Sequence, residues 1–315
     1  MSEKPVSTGK DVTISVVGNS LGGVYGRYAI AHISDRFTDS EYNLHFNIFC
    51  TTATPHLGIS KHTWIPVPRS AEIGIATTMG DTGKDLFRLN DLMKSMATTS
   101  KFLDPLGKFR KRIAYANAYG TDFPVPTQTA AFLSKKSSYP HHFVEEDSDS
   151  ENENRVVVDD NGLVIATLQT PAGYIPGKGA ILDKENTDDL DQMSNALDSL
   201  GWKKVFVDVR NEIPMQFTIP KIISKQSSGG DSTPVNEPVQ SLKEKGIVES
   251  RDIAEAISLP PKMDKITVPL GHNMIVAFSR NKVSALMNKS GRPVVNALAK
   301  ELVEDIFRWG EELSK

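Results

Sequence analysis

Apolar and polar positions along this chain alternate between two periods, and the switches between them mark its elements. Val12 to Val17 is an almost unbroken, β-branched apolar run. Such a run predicts a strand covered on both faces, as in a parallel sheet. Val24, Tyr28, Ile30, Ala31 and Ile33 then recur at helical spacing, with Arg27 on the solvent side. Further strands are predicted at His45–Cys50, Lys111–Ala118, Val156–Val158, Leu163–Leu168 and Lys203–Val209. Leu86, Leu89, Leu92, Met93 and Met96 form a helical stripe after Asp85, read as core packing, with a cap over a pocket as the alternative. From Pro293 to Leu313 a last helix presents Val294, Leu298, Leu302, Ile306 and Trp309 on one face, which is expected to cover the sheet. Strands alternating with helices predict an α/β class, with a mostly parallel sheet and helices on both faces.

The junction between the first strand and its helix reads Gly18-Asn19-Ser20-Leu21-Gly22-Gly23. Strand, Gly-x-Ser-x-Gly, helix is the context of a nucleophile elbow, a sharp turn that raises a serine hydroxyl above a sheet. Gly18 and Gly22 are expected where a Cβ has no room, and Gly23 where the helix packs close to the strand. The Leu21 N–H, at the helix start, is the natural first oxyanion donor. One alternative is a glycine-rich turn without chemistry. Another, a dinucleotide site, needs glycine in place of Ser20 and an acid near the end of a second strand about 20 residues further on; neither is present.

A serine nucleophile needs a base, and the base an orienting acid, in the chain order Ser, acid, His. Asp122 follows a predicted strand end in the Pro-rich stretch Asp122-Phe123-Pro124-Val125-Pro126, where either an orienting carboxylate or a turn cap fits. Asp208, at the end of Lys203–Val209, is the runner-up acid. Of the seven histidines, His272 follows the last predicted strand and opens an apolar stretch, which makes it the candidate base. His32 and His45 fall within elements and read as structural. His141 and His142 adjoin an acidic run and read as exposed; His62 has no strand context. His56 follows a strand and is expected, with Leu57, to line the substrate pocket. No metal or organic cofactor is implied, because no pair of ligand residues has zincin-like helical spacing.

These motifs together resemble the serine esterase, lipase-like family of α/β-hydrolases. The resemblance rests on Gly18-Asn19-Ser20-Leu21-Gly22-Gly23 with Arg27-Tyr28-Ala29, then Thr54-Pro55-His56-Leu57-Gly58, then Thr82-Gly83-Lys84-Asp85-Leu86-Phe87. It continues with Tyr115-Ala116-Asn117, Asp122-Phe123-Pro124-Val125-Pro126 and Gly271-His272-Asn273-Met274-Ile275. It covers Val12 to about Ala130 and Trp202 to about Val276. It implies an α/β-hydrolase fold with Ser20 as nucleophile, Asp122 as orienting acid and His272 as base, acting on lipid esters. Asn19 replaces the family's more usual histidine, outside the triad. The family's preceding strands and its His-Gly oxyanion loop have no counterpart before Val12. An N-terminally incomplete member is therefore expected, from a partial gene model or a short isoform of weak or no activity.

Residues 11–315 are expected to form one domain, with flexible inserts at 145–154, an acidic run, and at 224–240, a Ser/Gly-rich run. Ser148 and Ser150, among the carboxylates, are candidate sites for an acid-directed kinase. A net charge of −3 gives no case for nucleic-acid binding. The basic run Lys108–Arg112 reads as a solvated connection, with contact to anionic headgroups as the alternative. Cys50 is the single cysteine, as suits a reducing compartment; Met1–Pro5 does not read as a signal peptide. No stretch approaches the roughly 18 apolar residues of a membrane span. The expected protein is a cytoplasmic lipid esterase that touches membranes or lipid droplets peripherally. The alternative is an inactive protein of the same fold that serves as a lipid-surface or regulatory binding module.

Overall fold

The computed structural model describes residues 10–33, 42–60, 68–118, 121–133, 163–169, 172, 189–209, 212–213, 216–218, 265–267 and 270–313. The expected strand Val156–Val158, both expected inserts, His62, His141, His142, Ser148 and Ser150 lie outside them.

The main sheet has five strands: β1 (Lys10–Asn19), β2 (Tyr42–Thr52), β3 (Lys111–Asn117), β4 (Val164–Gln169) and β5 (Lys203–Val207), in the order β1-β2-β3-β5-β4. β1, β2, β3 and β5 run parallel, and β4 closes the far side antiparallel to β5. A short antiparallel pair, β6 (Gln216–Thr218) and β7 (Lys265–Thr267), stands apart from it.

Side chains alternate across a strand, so one sheet feeds two cores. Phe49 and Ala114 face one side with Val24, Ile30, Met93, Met96, Phe102, Phe132 and Trp202. Ile48, Cys50, Ile113, Tyr115, Val205 and Val207 face the other with Met274, Ile275 and Val294. The first core is roofed by α1 (Leu21–Ile33), α4 (Leu92–Thr98), α5 (Ser100–Gly107) and α7 (Asp189–Asp198); before α4 come α2 (Arg69–Thr78) and α3 (Gly80–Leu86). α6 (Thr127–Ala130) follows β3. The second core is roofed by α8 (Gly271–Met274) and α10 (Arg292–Leu313). α9 (Lys282–Asn288) and a 3-10 turn (Lys289–Gly291) lie between these two. This is an α/β fold with helices on both faces of a mostly parallel sheet, as the alternating pattern predicts.

Three expectations are corrected here. β1 is not covered on both faces: Val12 and Val17 are 38% and 55% exposed, while Ile14 and Val16 pack on the first core. The cause is position, since among the described residues β1 pairs with β2 alone and ends the sheet. The apolar stripe from Leu86 to Met96 is not one helix. A turn through Arg88, at φ +52°, separates α3 from α4, and Met93 and Met96 are wholly buried in the core. The basic run is not a solvated connection. Arg110 and Lys111 both pair with the buried Asp305 carboxylate of α10, and Arg110 also lies over the Trp309 ring. Arg112 donates to the carbonyl of Gly201 (2.8 Å). Arg110 and Lys111 thus dock α10 against the start of β3. Lower on the same helix, Glu301 accepts from Lys203 at 2.6 Å.

Candidate active site

β1 delivers Ser20 at its C-terminal end. The Ser20 N–H extends the ladder to the Thr52 carbonyl (2.8 Å), and the next residue opens α1. The chain turns by placing Ser20 itself in the left-handed region, at φ +53°. A non-glycine residue there costs about 1–3 kcal/mol and persists only where its surroundings hold it. Thr54 is part of that hold: its hydroxyl donates to the Ser20 carbonyl at 2.9 Å. Two glycines make the turn sterically possible. A Cβ on Gly18 would lie 2.5 Å from the Gly23 Cα, and a Cβ on Gly23 would collide with the Thr54 side chain. At Gly22, in contrast, a Cβ would meet open space, so the expected crowding there is absent.

His272 and Asp122 arrive from distant parts of the chain. A bridge between Asp122 and Leu270, with the Gly271 N–H donating to the Thr121 carbonyl (2.8 Å), brings the two loops together. The His272 Nδ1 lies 3.1 and 3.0 Å from the two Asp122 oxygens, and its Nε2 lies 2.9 Å from the Ser20 Oγ. The carboxylate only accepts, so Nδ1 carries the ring proton. Nε2 is then the acceptor for the Ser20 hydroxyl. Asp122 is 1% exposed. It is fixed by the Asn117 amide, which donates to Oδ2 (2.9 Å), and by the Val125 N–H, which donates to Oδ1 (2.9 Å). The structure thus brings Ser20, His272 and Asp122 into one hydrogen-bonded line. Asp208, the runner-up, is nearly buried at the end of β5, and its N–H donates to the Leu163 carbonyl. Leu21 opens α1, so its N–H has no acceptor within the helix, as an oxyanion donor requires.

His56 and Leu57 do not line a pocket. Both are 0% exposed, and His56 packs edge-on against Phe132 and Trp202. Arg27, expected in solvent, is 1% exposed and faces the same interior. It donates to the carbonyls of His56 (3.1 Å) and Met96 (2.7 Å) and to His56 Nδ1 (3.3 Å). With Nδ1 accepting, Nε2–H of His56 donates to the Thr51 hydroxyl (3.0 Å). Burial, helped by the nearby Arg27 and Lys204 charges, holds the His56 pKa well below the usual imidazole value. His56 is thus a neutral core strut, and Arg27 ties α1 to the loop that carries Thr54. Burial also lowers Arg27 to about 10, so it remains a cation at neutral pH.

Sequence reasoning missed the Asn117 and Thr54 supports. Asn117 had a readable signal, a polar residue ending an apolar strand shortly before an acid. Thr54 had none, because its partner lies 34 positions away. Among the described residues no group of His, Cys, Asp and Glu could hold a metal ion, and no helix is long and apolar enough to cross a membrane.

Comparison with known proteins fits this geometry. Residues 3–136 match the family described as "Putative serine esterase". This match covers less than half of the chain. The matched segment contains Ser20 and Asp122; His272 lies beyond it and enters the site by geometry alone. The chain is 32% identical over 125 residues to a Saccharomyces cerevisiae protein named "Putative lipase ROG1", covering 38% of this chain and 18% of that protein. It is 31% identical over 129 residues to "Putative lipase C4A8.10" of Schizosaccharomyces pombe, covering 38% of this chain and 16% of that one. The chain therefore spans less than a fifth of the length of either curated relative. No solved structure matches it.

Proposed function

We propose that the chain is a serine carboxylic-ester hydrolase acting on lipid esters through Ser20, His272 and Asp122. The observation that carries this reading is the Ser20 Oγ to His272 Nε2 contact of 2.9 Å, with Asp122 behind the ring. Ser20 Oγ attacks the ester carbonyl while His272 Nε2 takes its proton. The Leu21 N–H faces the negative oxygen of the tetrahedral intermediate. As the intermediate collapses, His272 returns the proton to the leaving alcohol, and an acyl-Ser20 remains. Water then attacks this ester, again through His272, releasing the acid and free Ser20. Asp122 stays ionised throughout, holding the tautomer and stabilising the imidazolium. The serine esterase match and the lipase names of the two relatives support the ester and lipid parts of the reading.

The test is hydrolysis of nitrophenyl esters of short and long acyl chains by the full chain and by Ser20→Ala. The expected result is turnover that rises with acyl length and drops about a thousandfold or more in the variant. Equal rates in both proteins would place the activity elsewhere. A folded chain with no turnover on any ester would favour the binding-module alternative.

A further inference from the structure

Beyond the triad, α9 presents a short stretch of exposed apolar side chains. Val283 and Leu286 are 67% and 66% exposed, and Met287 and Phe278 are 42% and 43% exposed. Residues 283, 286 and 287 fall on one helical stripe. The helix is rigidly placed. Asn281 and Ser284 form a reciprocal capping box, and the buried Asn288 amide donates to the Phe278 carbonyl at 2.9 Å. The apolar stripe is therefore held outward.

Its setting is cationic. Arg280, Lys282, Lys289 and Arg292 flank it in sequence, all exposed and none in an ion pair among the described residues. No Asp or Glu occurs from Arg280 to Lys300, although the whole chain carries a net charge of −3. The acids of α10 begin at Glu301. Glu301 and Asp305 are engaged by Lys203, Arg110 and Lys111 on the sheet side.

We propose that this face is a docking surface for an anionic lipid bilayer. Apolar residues projecting among unpaired cations suit the boundary between headgroups and acyl chains. A second copy of the chain fits poorly, because it would bring the same cations together. The surface is coupled to the site. α9 packs against α8, which carries His272, and Gly291, just beyond α9, lies against the Met274 carbonyl so closely that a Cβ would not fit. The inference builds on the esterase reading by naming where its lipid substrate resides, and its test is read without turnover.

The full chain carrying Ser20→Ala is sedimented with phosphatidylcholine vesicles, with and without phosphatidylserine, at low and high salt. Binding is expected only with phosphatidylserine and only at low salt. Each cation at such a surface is worth about fivefold in partition, so Lys282→Gln with Lys289→Gln should weaken binding by about 25-fold. Val283→Ser with Leu286→Ser should abolish it; these side chains point into solvent, and circular dichroism checks that the fold persists. Equal sedimentation with both vesicle types, or variants that bind like the parent, would overturn the proposal. So would a salt-sensitive dimer, dispersed by the serine pair, in a chain that ignores vesicles. A chain that binds phosphatidylserine vesicles while its Ser20 form hydrolyses nothing would remove the esterase reading and leave the docking surface standing.

Discussion

At Asp122 two fixed donors and one imidazole N–H converge on a single buried carboxylate. Only a group that accepts at both oxygens satisfies all three. Asp122→Asn puts an amide NH2 where one of those donors points, so His272 turns or takes the wrong tautomer. The expected outcome is a fall in kcat of about four orders of magnitude with KM little changed, measured by steady-state ester hydrolysis. An effect confined to KM would contradict the assigned role. The same scale explains where sequence reasoning went astray. Arg27 sits on a helix whose pattern leaves it on the polar side, yet its guanidinium reaches carbonyls 29 and 69 positions away. His56 follows a strand in a loop, where site residues are common, but Thr51 and Arg27 saturate both ring nitrogens. Local pattern does not reveal partners at such separations.

Between elements, buried charge does the joining. On the α10 side, Asp305 holds Arg110 and Lys111 across nearly two hundred positions, which is why the basic run looked solvated from sequence alone. On the other side, Asp198 at the end of α7 lies 2.7 Å from Lys204 of β5, both 0% exposed, with Lys204 Nζ 4.0 Å from the Phe132 ring centroid. Burial pushes the Asp198 carboxyl from 3.8 up to about 6, against the downward pull of Lys204. A carboxyl raised in the folded state binds protons more tightly there than in the unfolded chain. Its contribution to stability is complete below the unfolded value of 3.8 and is lost as pH rises through about 6. Urea unfolding across that window should show this loss in the parent and not in Asp198→Asn. Identical pH slopes in the two proteins would contradict it. The strands themselves were legible, since the later parts of β2, β3 and β5 are largely apolar and buried. β1 has the same composition, but composition does not say which strand ends the sheet.

Over the whole molecule, the elbow after β1, the acid loop after β3 and the histidine at the start of α8 come together at the C-terminal ends of parallel strands. This is where an open α/β sheet places its ligands. Ser20 and Asp122 were legible because each follows a strand that the apolar pattern marks, and His272 because it stands last in the chain order Ser, acid, His and opens an apolar stretch. The burial of the would-be pocket residues and the cationic face of α9 were not legible, because both depend on how distant helices pack. The central claim is that Ser20 is an activated nucleophile. The most direct test is labelling of the full chain with a fluorophosphonate, followed by peptide mass spectrometry. The account predicts a single adduct on Ser20, absent from Ser20→Ala and strongly slowed in His272→Ala. A folded chain that takes up no label, or takes it at another serine, would contradict it.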